Sequence, residues 1–114
     1  MGKIQPIEKP LIKFMKTEDN WCPNYENDTI KVSLYFEYQD WDIDIHPEYN
    51  MYHGYYVFII VTGNDDTNME LSTDGPIKDK NEAETLYAQY LDVYKSLPEP
   101  LNMSWLAAHG FKPG

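Results

Sequence analysis

Three aspartates stand at alternate positions, Asp40, Asp42 and Asp44, with Glu37 and Glu48 flanking them. On a strand, alternate residues lie about 6.6–6.8 Å apart and point the same way, so these carboxylates would form a regular row of negative charge. Such a row can imitate a nucleic-acid backbone to a protein that binds one. Its plainer use is a solvated edge strand whose charges keep other sheets from pairing with it. Asp44, His46 and His53, with Glu48 nearby, combine carboxylate and imidazole, a donor set that transition metals accept. Their spacing matches no H-E-x-x-H motif, no cysteine pair accompanies them, and no metal or other cofactor is assigned. Asp65 and Asp66 are adjacent, and neighbouring carboxylates rarely converge on one point; they read as turn residues. The run D-W-D-I-D lacks the glycine of a calcium loop. Cys22 is the only cysteine and has no base or cation beside it to activate a thiolate. The histidines and serines suggest no triad, so the expectation is a protein without catalysis.

Aromatic residues crowd the same stretch. Tyr49, Met51, Tyr52 and Tyr55 follow the aspartates, Trp41 sits between two of them, and Tyr35 and Tyr38 precede them. Tyrosine offers a large, rigid contact area with a polar tip, and loops rich in Tyr, Asn and Gly recur in protein-binding surfaces; covering the sheet accounts equally well for some of these rings. The candidate partner-binding residues are therefore Asp40, Asp42, Asp44, Glu37, Trp41, Tyr49 and Tyr52. The formal net charge is −10 in 114 residues, and the basic side is wholly lysine, with no arginine. That argues against a phosphate-binding surface, so no direct nucleic-acid binding is expected, and it favours partners with basic patches.

The elements that position these residues are organised around Tyr56 to Val61, a run of large apolar and aromatic side chains rich in β-branched residues. It is too short for a buried helix and reads as the central strand of a sheet, covered on both faces. Gly63-Asn64-Asp65-Asp66 ends it in a turn, and Met69 and Leu71 resume alternation as a hairpin neighbour. Upstream, Ile30, Val32, Leu34, Phe36 and Tyr38 share one face of a half-buried strand. The apolar parity then switches to Trp41, Ile43 and Ile45. A tight turn at Gln39-Asp40 explains the switch, and a bulge in one long strand explains it equally. Leu11 to Met15 fit either a short strand or a helical turn, and Thr17 to Asp28 a polar loop whose Trp21 and Tyr25 are expected to fold back onto the core, the other reading being an exposed binding role.

After Asp74-Gly75-Pro76, Asn81 and Glu84 have the spacing of a capping box. Ala83, Leu86, Tyr87, Tyr90, Leu91, Tyr94 and Leu97 follow at helical spacing, a stripe that should lie on the sheet. Pro98 and Pro100 end that helix. Asn102 or Ser104 can cap a short one running through Ala108, with Gly110 as its stop and Phe111 packing back beneath it. The expected fold is a single α+β domain over residues 1–114, with 1–10 loose: a curled antiparallel sheet of four or five strands, packed by one main C-terminal helix and a short terminal helix. No stretch approaches the roughly 20 apolar residues of a membrane span, no leader pattern opens the chain, and one cysteine suits a reducing compartment, so the cytoplasm is expected.

The run V-T-G-N-D-D-T-N-M-E at Val61 to Glu70, the glutamate-started helix of Glu82 to Tyr87 and the ending L-A-A-H-G-F at Leu106 to Phe111 resemble small phage-encoded proteins of unknown function. In those a strand runs into G-x-D-D-x-G-M-E, a helix opens with E-E-A, and the end reads leucine then G-F. Asn68 stands where that pattern has glycine. The resemblance implies a phage or mobile-element origin and no activity. Together with the composition it leads to the expectation of a small acidic protein that binds and inhibits a host protein having a basic or nucleic-acid-binding surface, as an anti-defence or host-takeover factor. Other readings are an immunity protein that neutralises a toxin and a self-assembling virion protein, the latter forming a homodimer or larger oligomer.

Overall fold

A computed structural model describes residues 6–14, 29–63, 68–73 and 75–113. The expected loop with Trp21, Cys22 and Tyr25, the Asp65-Asp66 turn, Asp74 and Met1 to Gln5 lie outside the described residues. Among the described residues five strands follow one another in space as in sequence: β1 (Ile7–Lys13), β2 (Thr29–Gln39), β3 (Gly54–Thr62), β4 (Asn68–Ser72) and β5 (Lys112–Pro113). Every neighbouring pair is antiparallel. Two helices, α1 (Lys80–Lys95) and α2 (Met103–Ala108), intervene between β4 and β5. The fold is the expected α+β domain, and no helix among the described residues is long and apolar enough to cross a membrane.

Alternation in β2 and β3 decides which face becomes the core. Ile30, Val32 and Leu34 are buried, and so are Val57, Ile59 and Val61; Val32 pairs with Val61, Leu34 with Ile59, and Val57 with Phe36 across the ladder. Met69 of β4 and Ile12 of β1 extend this face, and Ala83, Tyr94, Leu101, Met103, Leu106 and Phe111 close over it. Burying one such large apolar side chain contributes about 1.5–3 kcal/mol, so this layer is the main source of stability. Phe36, from the same face, meets Tyr87 of α1 at a ring-centroid distance of 5.2 Å. The opposite face of β3 is covered differently from the expectation. Tyr56, Phe58 and Ile60 are half-buried, and the Phe58 ring lies flat on Tyr35 of β2 at 4.7 Å and 11°. Cross-strand aromatic pairs of this kind shield one another on a half-buried face.

Residues 7–10, expected to be loose, belong to β1, which pairs with β2 through Ile7↔Leu34 and Lys9↔Val32. The register shifts between Lys9 and Ile12, where Pro10 sits. Proline has no N–H to give a ladder and is tolerated on an edge strand at an irregularity, which is how a proline-bearing lead-in still forms a strand. α1 begins two residues earlier than Asn81 would place it. Asp79 is the N-cap, its carboxylate accepting from Glu82 N–H at 3.0 Å. Asp79 and Glu82 satisfy the same spacing rule as Asn81 and Glu84. α2 is capped by Asn102, whose Oδ1 accepts from Trp105 N–H at 2.8 Å. It closes with a left-handed Gly110 (φ +90°), and Phe111 N–H donates to Leu106 O while Gly110 N–H donates to Ala107 O. That pairing is a Schellman motif, and it turns Phe111 into the core.

Candidate partner-binding loop

The parity switch after Tyr38 marks neither a tight hairpin nor a bulge. β2 ends at Gln39, which pairs with Gly54, and residues 40–53 leave the sheet between them. The places across from Leu34, Phe36 and Tyr38 are taken by Ile59, Val57 and Tyr55 of β3. A strand carrying Trp41, Ile43 and Ile45 would also have to carry Asp40, Asp42 and Asp44, whereas β3 brings apolar residues on both sides. Asp40, Asp42 and Asp44 are all exposed, but on a loop and a turn; the evenly spaced strand row is overturned.

The loop is folded on itself. Asp42 O accepts from Ile45 N–H at 3.2 Å and from His46 N–H at 2.8 Å, closing a turn. Pro47 then opens a 3₁₀ helix, Pro47–Tyr52, its missing N–H costing nothing at a first helical position. His53 closes the neck. Its Nδ1 lies 3.2 Å from Trp41 N, and its Nε2 lies 3.0 Å from the Tyr38 hydroxyl. With Nδ1 accepting from Trp41 N–H, Nε2 carries the proton and donates to Tyr38. The Asp40 carboxylate stands 3.7 Å from the same Nδ1. Partial burial, then Asp40 and Tyr55, raise the Tyr38 pKa, which keeps this phenol protonated. From the far side Lys78 Nζ donates to Asn50 O and, at 2.6 Å, to His53 O. Tyr56 donates its hydroxyl hydrogen to Tyr52 O at 2.7 Å.

This frame holds apolar side chains in water. Trp41 is 39% exposed, Tyr49 37%, Tyr52 49%, Met51 64% and Ile45 68%. Trp41 is the hub of a ring cluster, 5.3 Å from Tyr49 and 6.3 Å from Tyr52, tilted 54° and 57° to them. His46 also meets the Tyr49 ring, at 5.4 Å. Beside the rings, Asp40, Trp41, Asp42, Ile43, Asp44 and His53 line a concavity of about 470 Å³. Large apolar residues collected on one exposed loop mark interaction surfaces more often than chance, and carboxylates between them make this one selective for positive charge.

Of the residues singled out from sequence, Asp40, Asp42, Asp44, Trp41, Tyr49 and Tyr52 share this loop. Glu37 does not; it is 5% exposed within β2 and accepts from Gln39 Nε2 at 3.3 Å. Asp44, His46 and His53 form no ligand set, since His53 turns inward and His46 faces Glu48 at 3.5 Å. No group of three or more potential ligands stands together among the described residues. Tyr55 and Tyr38 lie tilted against each other at 4.7 Å on the helix-facing side and are half-buried. Sequence reasoning missed the framing roles of His53 and Lys78, whose contacts with Tyr38, Trp41 and Asn50 join residues far apart in the chain. It also missed Ile45 and Met51 as the most exposed apolar groups, because alternation had placed Ile45 on a buried face. No protein-family model, no curated protein and no solved structure matches the chain.

Proposed function

We propose that this is a non-catalytic binding protein that occupies a basic, nucleic-acid-handling surface of a partner protein and thereby inhibits it, the partner belonging to a host cell. The observation that carries the reading is the loop of residues 40–53, which carries exposed Trp41, Tyr49 and Tyr52 together with exposed Asp40, Asp42, Asp44 and Glu48 on a frame pinned by His53 and Lys78. Carboxylates speed the encounter with a positive surface, and the rings hold the docked partner. A pinned loop loses little entropy on binding. The acidic groups imitate nucleic acid through charge clustered on a loop rather than through a strand-like repeat. The phage resemblance and the net charge of −10 agree with an inhibitor of this kind.

The test is capture from host lysate with the wild-type protein and with a variant carrying Asp40→Asn, Asp42→Asn and Asp44→Asn. A nucleic-acid-binding protein should be retained by the wild type, released by salt and by duplex DNA, and lost by the variant, whose association is slower and less salt-dependent. Equal capture by both proteins would remove the acidic loop from the account.

A further inference from the structure

We infer that the loop is selective for arginine: the partner seats a guanidinium on the Trp41–Tyr49–Tyr52 rings and turns its N–H edge toward the carboxylates of Asp42 and Asp44. This rests on the partner-binding reading above and narrows it to one side-chain chemistry. The exposed apolar surface here is aromatic at its centre, with Trp41 in ring contact with both Tyr49 and Tyr52 and all three residues open to water. A ring face attracts any cation, but a planar, weakly hydrated guanidinium can lie flat on it and still present paired donors at its edge. A carboxylate matches those donors two at a time. A lysine ammonium is a compact, strongly hydrated point that gains less from a flat ring and cannot make the paired contact.

Charge complementarity supports the same occupant. Residues 40–53 contain four carboxylates and no lysine. Among the described residues no ammonium of this chain pairs with Asp42 or Asp44. The nearest lysine tied to the loop, Lys78, is occupied by the carbonyls of Asn50 and His53. A second copy of this chain does not meet the requirement, since it brings lysines and no arginine. The occupant therefore comes from another protein.

The experiment uses the full-length ¹⁵N-labelled protein with two probes of equal length and charge, hexa-arginine amide and hexa-lysine amide. Hexa-arginine should bind about 10-fold more tightly, with its largest shifts at Trp41, Tyr49 and Tyr52. Trp41→Leu should bring the two affinities to near equality by weakening hexa-arginine alone. Tyr52→Leu, whose side chain is half in water, should reduce the ratio in the same direction and serves if the first variant disturbs the loop. Equal binding of both peptides at this loop would overturn arginine selectivity and leave the basic-surface reading in place. Absence of shifts at the loop with either peptide would overturn both. Selective arginine binding elsewhere on the molecule would overturn the assignment to these rings.

Discussion

The Tyr94 hydroxyl is buried and finds no hydrogen-bond partner among the described residues. Its ring is held by Lys9, whose Nζ lies 5.0 Å above the centroid and donates to Tyr94 O at 3.1 Å. Burial, then the charge of Glu8 and the neighbouring Tyr87, raise the Tyr94 pKa. The folded protein thus keeps this proton to higher pH than the unfolded chain does. The associated stability is complete below pH of about 10 and falls as pH rises through the folded value. Tyr94→Phe should be neutral to about 1 kcal/mol stabilising at neutral pH, because an unpartnered polar atom leaves the core. It should also flatten the alkaline loss, and urea unfolding at neutral pH and above about pH 10 reads both effects. At the loop, His53→Ala removes the acceptor of Trp41 N–H and the partner of Tyr38. The expected cost is about 1–2 kcal/mol, with faster amide exchange at Trp41 than at the neighbouring β2 amides. Unchanged exchange would mean that the loop is held by other contacts.

At the scale of elements, the neck of the loop depends on how closely β3 approaches the chain before α1. Tyr55 and Ile77 exchange two backbone hydrogen bonds of 2.9 and 2.8 Å. Gly54 makes this possible: its φ is +146°, and a Cβ there would lie 2.8 Å from Ile77 O and 3.0 Å from Pro76 Cβ. Gly54→Ala combines an unfavourable backbone conformation with a clash against main chain, and should cost about 2–4 kcal/mol by chemical denaturation. The helix starts are more ordinary. Asp79→Ala and Asn102→Ala each remove one side-chain acceptor from an otherwise orphaned N–H, for about 1 kcal/mol each. Asn81→Ala should leave stability within about 0.5 kcal/mol, which separates the observed cap from its neighbour with the same spacing.

For the whole molecule the governing quantity is the net charge of −10. Like charges repel in the compact state, and dissolved salt screens that repulsion over about 10 Å at 0.1 M. Raising NaCl from about 20 to 500 mM should therefore raise the melting temperature by about 2–6 °C in scanning calorimetry. The same salt should weaken docking to a basic partner. Stability and binding moving in opposite directions would separate self-repulsion from any general salt effect on folding, whereas a falling melting temperature would show that attractive ion pairs dominate.

Sequence alone determined the elements whose signal is local. The Tyr56–Val61 strand, the Met69–Leu71 return, the stripe from Ala83 to Leu97 and the Asn102–Gly110 helix follow from periodicity, capping groups and breakers within a few residues of each other. They led to the α+β fold because an apolar strand and a one-sided helix stripe have to meet. The fate of Asp40 to Ile45 was a competition that local pattern does not express. Alternation there satisfies the rule for a strand, yet β3 offers β2 a better partner, and only the assembled sheet shows which segment holds that place. The cap at Asp79 was ambiguous because two residues two positions apart obey the same spacing. The burial of Glu37, the inward turn of His53 and the reach of Lys78 to Asn50 are long-range facts, decided when distant segments pack. The acidic and aromatic residues of the binding loop were therefore legible as a set, while their exposure, their grouping around Trp41 and the frame that holds them belong to the tertiary structure.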